Sequence, residues 1–569
     1  MRFGSLPVLA RLDRTLAVLA CLAIGIWLAA TIPGSPAPGW DESMHAELPA
    51  ARVVFALRAG EVRLAIDALL DCAQYPPAWP AVLALVQLPG GVSESAARIA
   101  TSLAWAAALG LVFAIASAAA RSSARVDPRA AGWAALAVGV VCPLAASFSG
   151  TLFLEVPSAL ATAFALWAWM RRAESPGPRR ELVAGLAIAL ALFTKWNYGL
   201  LLGAALAVDW AIEFGLAVRA GRARELLRRS RWLVAVPLFS IVWWFLLPLP
   251  GGLELAREHR AAFAGFLAGN LGATPASAAE RLLYATTGIG TTVRMAVLVV
   301  VLACAALRLA ATPVVRVLAL AAGFLLGAPL VHPFFLDRFL IPGVVPLCAL
   351  SGIGLALVIP REGFVRTAVV GVLALAALVD PGHDGVWLAD RLGRLPADEP
   401  ARGYVTRVLE DRARLGPERR LPTGGLERAQ HDALLDLVAA EVRAGERVGW
   451  IGMSSEISPA ALHLGLVTRG HGPAWFLERE PAEVDLTYFG TDPGFDDADL
   501  LAYANRFDVI LWTDPPDLRE RRERAFTAAH RDRLLAIRPA NVRELGRVSI
   551  SRPLRAPLDV RLSACRRVP

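Results

Sequence analysis

Long apolar runs separated by short arginine-rich stretches dominate the first two thirds of the chain. A helix crosses a bilayer with roughly twenty apolar residues, and on that basis the pattern predicts about eleven spans. The predicted spans lie near residues 15–32, 96–119, 131–148, 153–170, 181–195, 197–215, 232–250, 288–307, 317–332, 336–358 and 367–380. We therefore expect residues 1–380 to form a multispanning α-helical membrane module.

The connection between the first two predicted spans, about residues 33–95, is too long and too regularly patterned to be a simple link. Residues 44–57 and 62–70 mix apolar and charged positions at helical spacing. That pattern is typical of amphipathic helices lying in the membrane interface. The prolines of Gln74-Tyr75-Pro76-Pro77 are expected to end these helices in an extended turn.

Residues 381–569 are polar and charged, and they alternate strand-like with helix-like patterns. Short apolar stretches at 447–452 and 507–512 predict strands. Helical patterns lie near 426–444, 458–467 and 516–536. This alternation predicts a small soluble α/β domain. It contains no glycine-rich nucleotide-binding motif.

The basic residues are unevenly distributed among the connections. The chain has 58 Lys and Arg against 50 Asp and Glu, a formal charge of +8, and the arginines cluster in alternate short loops. By the positive-inside rule, those loops and the N-terminus are expected to be cytoplasmic. An odd number of spans then places the C-terminal domain outside the cytoplasm. The charge thus indicates membrane orientation and argues against a nucleic-acid groove.

The six cysteines lack the spacing typical of metal sites. Cys72 and Cys565 both fall on the predicted extracytoplasmic side, where a disulfide is permitted. Their wide separation leaves open whether they pair.

Polar residues recur at the predicted outer ends of the spans. They are Asp41, Glu42, Glu155, Lys195, His332, Asp337 and Arg338. Charge at a membrane edge is costly unless it is hydrated, paired or used. Cations at this depth could stabilise a leaving phosphate, and a carboxylate within hydrogen-bond reach could deprotonate a hydroxyl. Lys195 is the only lysine of the chain, which makes its position notable.

Each of these residues also has a purely structural alternative. Asp41 and Glu155 could cap helices, where acids interact favourably with the helix dipole. Lys195 beside Trp196 could be an interfacial anchor. His332 could simply pack at the interface, so the pattern alone leaves both interpretations open.

Five short motifs occur in a fixed order on one predicted side. They are an Asp-Glu pair opening the first outer loop, a later Pro-Pro turn, an acid-x-Pro after the third span, a Lys ending the fifth span and an Arg-aromatic-Leu-x-Pro opening a late span. Over about residues 10–360 this order resembles the integral-membrane GT-C fold glycosyltransferases, in the branch of protein O-mannosyltransferases and aminoarabinose transferases. The resemblance implies transfer of a sugar, with inversion, from a polyprenyl-phosphate carrier to an acceptor outside the cytoplasm.

The resemblance also implies roles for the acids. Asp41 matches the catalytic base of this family, and Glu42 is its companion. Glu155, in Leu154-Glu155-Val156-Pro157, matches the second acidic motif, where the family more often has Asp.

The cations and contact residues follow in the same way. Lys195 and Arg338 match the groups that bind the carrier phosphate, and His332 is a further candidate. The Arg338 motif has Phe339 where Tyr is usual. The candidate contacts to sugar or acceptor are His45, Tyr75 and Asp337. Tyr75 lies in a Gln-Tyr-Pro-Pro sequence where the family has His-x-Pro-Pro.

We therefore expect a multi-pass glycosyltransferase of a bacterial inner membrane, whose partners are membrane lipids, a polyprenyl-phosphate-linked sugar and a lipid, glycan or protein acceptor. No cofactor is required by the sequence, and dependence on a divalent metal is left open. Two alternatives remain at this point: a flippase of an anionic polyprenyl-phosphate lipid, and a non-catalytic envelope assembly protein.

Overall fold

The structure is a computed structural model of the chain. It describes residues 7–30, 32, 35–70, 76–122, 126–245, 281, 312–332, 337–358, 390, 426–443, 445–451, 457–471, 497–514, 531–537, 540–552 and 555–567. Structural statements below refer to these residues.

Helices make up almost all of the described residues before 359. They are α1 Pro7–Ala29, α2 Trp40–Glu42, the π-helical turn Ser43–Glu47, α3 Leu48–Arg58, α4 Val62–Leu70, α5 Ala78–Gln87, α6 Glu94–Arg121, α7 Pro128–Val140, α8 Pro143–Phe148, α9 Glu155–Glu174, α10 Pro178–Thr194, α11 Trp196–Arg219, α12 Ala223–Arg229, α13 Arg231–Phe245, α14 Pro313–Val331, the 3₁₀ helix Asp337–Leu340 and α15 Ile341–Val358. The described part of the predicted membrane module is therefore mostly helical.

Four of the described helices are long and apolar enough to cross a membrane by themselves. They are Glu94–Arg121, Trp196–Arg219, Pro313–Val331 and the continuous stretch Arg338–Val358. Shorter apolar helices occur at Thr15–Ala29, Ala78–Gln87 and Arg231–Trp243. The chain is thus a membrane protein. The predicted spans at 288–307 and 367–380 lie outside the described residues, so the count of about eleven stays a prediction.

The predicted span at 131–148 is not one continuous helix. It is divided into α7 and α8, because the backbone of Cys142 is extended, with φ −75° and ψ 107°. Pro143 follows, and a proline disfavours the helical conformation in the residue before it. Neither half has about twenty residues, the length that a single straight crossing requires.

Small residues allow the membrane helices to pack closely. A Cβ on Gly352 of α15 would lie 2.5 Å from the Ala131 carbonyl oxygen and the Ala135 Cβ of α7. Glycine is therefore required where these two helices cross, as is common for helices packed inside a membrane. The resulting core joins side chains of α6, α7, α9, α10, α11, α14 and α15.

The helices of the first long connection differ from one another in burial. On α4 the apolar side chains Val62 and Ile66 are exposed, as are Val82 and Leu85 on α5, which fits the predicted contact with a membrane interface. Helix α3 is formed where it was predicted, but eight of its eleven residues are buried. It is therefore an internal support and does not lie on the membrane surface.

The described C-terminal residues form a mixed sheet with helices. The elements are α16 Arg428–Glu441, β1 Val448–Ile451, α17 Pro459–Thr468, α18 Asp497–Ala504, β2 Val509–Asp514, β3 Ala540–Arg552 and β4 Arg555–Arg567. The strand order is β1-β2-β4-β3. Strands β1 and β2 are parallel, whereas β4 is antiparallel to both of its neighbours.

This sheet has a hydrophobic core of its own, formed by α16, α17 and the inward faces of the strands. The two short strands and the helices near 426–444 and 458–467 were predicted, while the long hairpin β3–β4 was not. Cys565 is buried in β4. Cys72 lies outside the described residues, so their pairing stays open.

Candidate active site

Two adjacent acids follow α1 and enter different surroundings. Asp41 and Glu42 lie in α2, which continues into the π-helical turn Ser43–Glu47. π-helical turns are rare in proteins, and those that occur are often found at functional sites. Successive side chains on a helix point about 100° apart, so adjacent carboxylates face different partners.

Glu42 is fully buried and binds backbone groups. Its Oε2 accepts a hydrogen bond from the Gly39 amide at 3.0 Å, and its Oε1 accepts one from the Leu152 amide at 2.8 Å. Arg98 Nη1 lies 3.7 Å from Oε1. Burial raises the pKa of Glu42 to about 7, although Arg98 and the two amides oppose this shift. Glu42 therefore joins the segment before Asp41 to the segment before α9.

Asp41 faces a cation from a distant part of the chain. Arg338 Nη2, in the 3₁₀ helix Asp337–Leu340, donates a hydrogen bond to Asp41 Oδ2. The Asp41 side chain is 38% exposed, whereas that of Arg338 is 12% exposed. The carboxylate is thus accessible while its partner is largely enclosed.

Glu155 joins the second cation to the first. It is the first residue of α9, and Lys195 Nζ donates a hydrogen bond to its Oε1 at 2.8 Å. Arg338 Nε lies 3.5 Å from the same oxygen. Glu155 Oε2 is buried and has no hydrogen-bond partner among the described residues. A buried acceptor without a donor is costly in a native structure, so this oxygen is available to a ligand group.

Lys195 is positioned by a break between two helices. Its backbone is extended, with φ −157° and ψ 105°, so α10 ends at Thr194 and α11 begins at Trp196. The break turns the Lys195 side chain toward the N-terminus of α9, where a carboxylate is favoured by the helix dipole. This break explains why the lysine lies beside Glu155.

Aromatic rings surround both cations. The Arg338 guanidinium lies 3.9 Å from the ring centre of Phe153, and Lys195 Nζ lies 5.3 Å and 5.6 Å from the rings of Tyr198 and Phe339. Cation–π contacts of this length stabilise positive charge without neutralising it. The rings therefore help to hold both cations beside Glu155 without adding negative charge.

Asp41 and His45 differ in charge because of their surroundings. Burial raises the pKa of Asp41, but Arg338, His45 and Lys195 lower it more, so its pKa is below the usual value. Burial lowers the pKa of His45 to about 4; Lys195 and Arg338 lower it further, while Asp41 and Glu155 oppose this. At neutral pH, Asp41 is therefore ionised and His45 is neutral.

Of the three remaining predicted residues, His332 is the one whose side chain the structure describes. His332 ends α14 with an exposed side chain, and its backbone carbonyl accepts a hydrogen bond from Arg281 at 2.6 Å. Asp337 begins the 3₁₀ helix that contains Arg338, but its side chain is outside the described part of the chain. Tyr75 is also outside it.

Sequence reasoning did not identify Arg98 or Phe153 as parts of the site. Arg98 lies inside a predicted apolar span, and an arginine there is expensive unless it has a specific partner; that signal was sufficient to find it. Phe153 gave no signal, because an aromatic residue near a membrane edge is common.

We use the name site cluster for Asp41, Glu155, Lys195 and Arg338. Their ion pairs alternate acid and cation in a line from Asp41 through Arg338 and Glu155 to Lys195. An ionised, accessible carboxylate beside two enclosed cations can bind an anionic group and accept a proton. Among the described residues, no three His, Cys, Asp or Glu side chains are grouped to hold a metal ion.

Sequence comparisons give no relative for this chain. No protein-family model matches it, and a search of curated proteins finds no match.

Comparison of structures does give similar folds. The structure is similar to the apo crystal structure of ArnT, an aminoarabinose transferase, from Cupriavidus metallidurans, with a TM-score of 0.58 and 13% identity over 96% of this chain and 98% of that one. The same enzyme bound to undecaprenyl phosphate gives a TM-score of 0.50 and 15% identity over 96% and 97%. An Archaeoglobus fulgidus oligosaccharyltransferase tethered with an acceptor peptide gives 0.49 and 12% over 92% and 71%. The similarity to ArnT confirms that the chain has the GT-C fold predicted from its motifs.

Proposed function

We propose that this protein is an inverting glycosyltransferase, which transfers a monosaccharide from a polyprenyl-phosphate carrier to an acceptor hydroxyl outside the cytoplasm. The observation that carries the proposal is the site cluster, in which an accessible carboxylate faces two enclosed cations. The fold supports it, because ArnT has been crystallised with undecaprenyl phosphate bound.

Donor binding is assigned to the two cations. Lys195 and Arg338 hold the carrier phosphate, and His332 is a candidate for an additional contact. Binding would transfer the Arg338 hydrogen bond from Asp41 to a phosphate oxygen. Losing that hydrogen bond, with the Arg338 charge offset by the phosphate, would raise the pKa of Asp41 and make it a stronger base. Donor binding and base activation are thereby coupled.

Transfer is assigned to Asp41 as general base. Its carboxylate accepts the proton of the acceptor hydroxyl, and the acceptor oxygen attacks the anomeric carbon on the face opposite the phosphate. The bond between that carbon and the phosphate oxygen breaks, and its electron pair leaves with polyprenyl phosphate. One displacement inverts the anomeric configuration. Lys195 and Arg338 stabilise the charge on the leaving phosphate.

The other acids have supporting roles in this proposal. Glu155 orients Lys195 and Arg338, to which it is paired. Glu42 positions Asp41 through the Gly39 and Leu152 amides. The proposed contacts to sugar or acceptor are His45, Tyr75 and Asp337. A neutral His45 suits such a contact, because it can both donate and accept a hydrogen bond.

The proposed location is a bacterial inner membrane, with the N-terminus cytoplasmic and the C-terminal α/β domain, residues 381–569, outside. The arginine-rich loops support this orientation.

The proposal is tested with full-length purified protein in lipid nanodiscs. Labelled sugars on a short synthetic polyprenyl phosphate are offered together with an envelope extract as acceptor. We expect label to move to an extract component with inverted anomeric configuration and release of polyprenyl phosphate. Retained configuration would contradict the single displacement.

The flippase alternative makes a different prediction for the same preparation. In sealed vesicles it would move labelled polyprenyl phosphate between leaflets without breaking the sugar–phosphate bond. Leaflet exchange without any transfer, across a panel of donor sugars, would replace the glycosyltransferase proposal.

A further inference from the structure

The described C-terminal residues reach back to the segment that holds Asp41. Arg428, the first residue of α16, donates two parallel hydrogen bonds to Glu94, from Nη1 to Oε2 at 2.7 Å and from Nη2 to Oε1 at 2.6 Å. Glu94 is the first residue of α6. Forked pairing of this kind fixes orientation as well as distance.

The place of Arg428 in its own helix is unfavourable. The N-terminus of a helix carries partial positive charge, so a cation there is disfavoured, whereas Glu94 at the N-terminus of α6 is favoured. A residue that breaks a local rule requires compensation from elsewhere. Here the forked pair with Glu94 supplies it, and Arg428 is tied to the membrane module.

The contact continues from Glu94 toward the site cluster. Glu94 Oε1 also accepts a hydrogen bond from Arg98 Nε at 2.7 Å. Arg98 is buried, and its two other nitrogens donate to the carbonyl oxygens of Gly150 and Pro36, each at 3.2 Å. Arg98 therefore holds both of the backbone segments that Glu42 joins.

Each of these segments supports one partner of the Asp41–Arg338 pair. Asp41 follows directly after the segment that Arg98 and Glu42 hold. Phe153, whose ring lies under the Arg338 guanidinium, follows Leu152, whose amide binds Glu42. A shift of either segment would change the geometry of the pair.

Two further contacts keep the C-terminal region beside this segment. The Ala37 amide donates a hydrogen bond to the Leu426 carbonyl oxygen at 2.8 Å. Leu48 and Ala51 of α3 pack against Ala460 and Leu464 of α17. The region thus contacts the chain on both sides of Asp41.

We infer that Arg428 is a positioning residue for Asp41, acting through Glu94, Arg98 and Glu42, which gives the C-terminal domain a role in the transfer site. This inference rests on the proposed role of Asp41. Arg428 touches neither donor nor acceptor. Its removal should loosen the Asp41 segment, while Lys195 and Arg338 keep the ion pairs with Glu155 that hold them.

The test compares Arg428→Ala with the matched control Arg469→Ala in the full-length protein. Arg469 belongs to the same domain and forms an exposed pair with Asp436. We expect Arg428→Ala to lower kcat roughly 10- to 100-fold, since small misplacements of catalytic groups have effects of this size. The donor KM should change by less than about threefold, and Arg469→Ala should stay within about twofold of the wild type in both constants.

A readout independent of activity is amide hydrogen exchange, which reports local opening. Exchange at Gly39 and Leu152 should be faster in Arg428→Ala and unchanged in Arg469→Ala. Unchanged exchange at both amides, or a kcat within about twofold of the wild type, would overturn the inference.

Glu94→Gln and Arg428→Lys keep the test decisive if Arg428→Ala does not fold. A double variant that combines Glu94→Gln with either Arg428 variant should have a kcat no lower than that of the more impaired single variant. The reason is that both residues act through one contact. A double variant whose loss of kcat equals the product of the two single losses would overturn the inference. If the wild type transfers no sugar, the proposed function fails, whereas the exchange measurement still decides whether Arg428 holds the Asp41 segment.

Discussion

Two clusters of buried ion pairs lie at opposite ends of the same helices, and they differ in how the chain builds them. The first is the site cluster. The second, which we call the helix-end network, consists of Arg172, Glu181, Glu213 and Arg229. Glu155 and Arg172 are both in α9, roughly 25 Å apart along its axis, close to the thickness of a bilayer core.

The clusters share the properties that usually suggest function. Each combines two acids with two cations, each has one fully buried acid, and each has a cation against an aromatic ring. In the helix-end network that contact is Arg172 over Trp169, at 4.2 Å. Burial, pairing and aromatic contact therefore do not distinguish a functional site from a structural one.

The connectivity does distinguish them. In the helix-end network each arginine contacts both acids, at distances between 2.7 and 3.5 Å, so the four residues form a closed ring. In the site cluster the ion pairs run in a line. In the ring each charge has two partners of opposite sign within the network, whereas Asp41 and Lys195, at the ends of the line, each have one within the site cluster.

The backbone distinguishes them as well. All four members of the helix-end network lie within regular helices, α9 to α12. The members of the site cluster lie at a helix start, a helix break, a 3₁₀ helix and a single turn before a π-helical turn. Irregular backbone is concentrated at functional sites. The difference predicts that one cluster affects activity and the other affects stability.

The largest effect on stability is expected from Arg172→Met in the helix-end network. The change leaves buried Glu181 with Arg229 as its remaining partner, and breaking a buried pair costs about 3 kcal/mol of unfolding free energy. We expect a clear fall in Tm in detergent, while the donor KM of the folded fraction stays at its wild-type value. A large rise in donor KM at unchanged Tm would reverse the comparison.

Lys195→Ala is the corresponding change in the site cluster. Loss of one enclosed cation from a phosphate site should raise the donor KM on the order of 100-fold. Initial rates over a range of donor concentrations, together with direct binding of polyprenyl phosphate, measure this effect. Lys195→Arg is the control and should recover much of the affinity. Unchanged donor affinity in the alanine variant would remove Lys195 from the phosphate site.

Phe153→Leu should have a smaller effect of the same kind. It removes the ring under the Arg338 guanidinium, a contact of about 1 kcal/mol, so donor binding should weaken about fivefold. Trp169→Leu removes the equivalent ring under Arg172 and should lower Tm without changing donor KM. Equal effects of the two variants on donor KM would contradict the distinction.

The smallest effect concerns pH, and it is confined to the first long connection. Burial, with Glu94 adding to it, raises the pKa of Glu47 to about 8 from a reference value of 4.5. Between these values the folded protein keeps a proton that the unfolded chain has lost. Stability should therefore fall as pH rises from about 5 to about 8, and level off above that.

Thermal unfolding of Glu47→Gln measures this dependence. The fall in Tm, roughly 2 °C in the wild type, should become clearly smaller in the variant, in which Glu42 and His45 still contribute with opposite signs. The control Glu174→Gln removes an exposed acid at the C-terminal end of α9 and should keep the wild-type pH dependence. A slope in Glu47→Gln equal to that of the wild type would assign the dependence to another group.

Much of the fold and of the site could be predicted from the sequence, because both depend on local patterns. Asp41, Glu155, Lys195 and Arg338 were identified by charge at the ends of apolar runs, and the structure brings them together. The deciding signal was that all four residues lie on the same predicted side of the membrane. The predicted side follows from counting apolar runs long enough to span a bilayer, and the sequence shows the length of such runs.

The failures arise where the outcome depends on contacts across the chain. Spacing could not decide which of Asp41 and Glu42 faces the site, because that depends on Gly39 and Leu152. The burial of α3 was missed because residues distant in sequence, such as Leu152 and Leu464, contribute to covering it. The long hairpin β3–β4 was missed since its many arginines obscure strand alternation.

The central claim is that Asp41 provides the base while the cations hold the donor. The most direct test measures sugar transfer and donor affinity together in Asp41→Asn. We predict that kcat falls roughly 100- to 10,000-fold, the usual contribution of a general base, while donor affinity and Tm remain close to those of the wild type. Full activity in this variant would contradict the account.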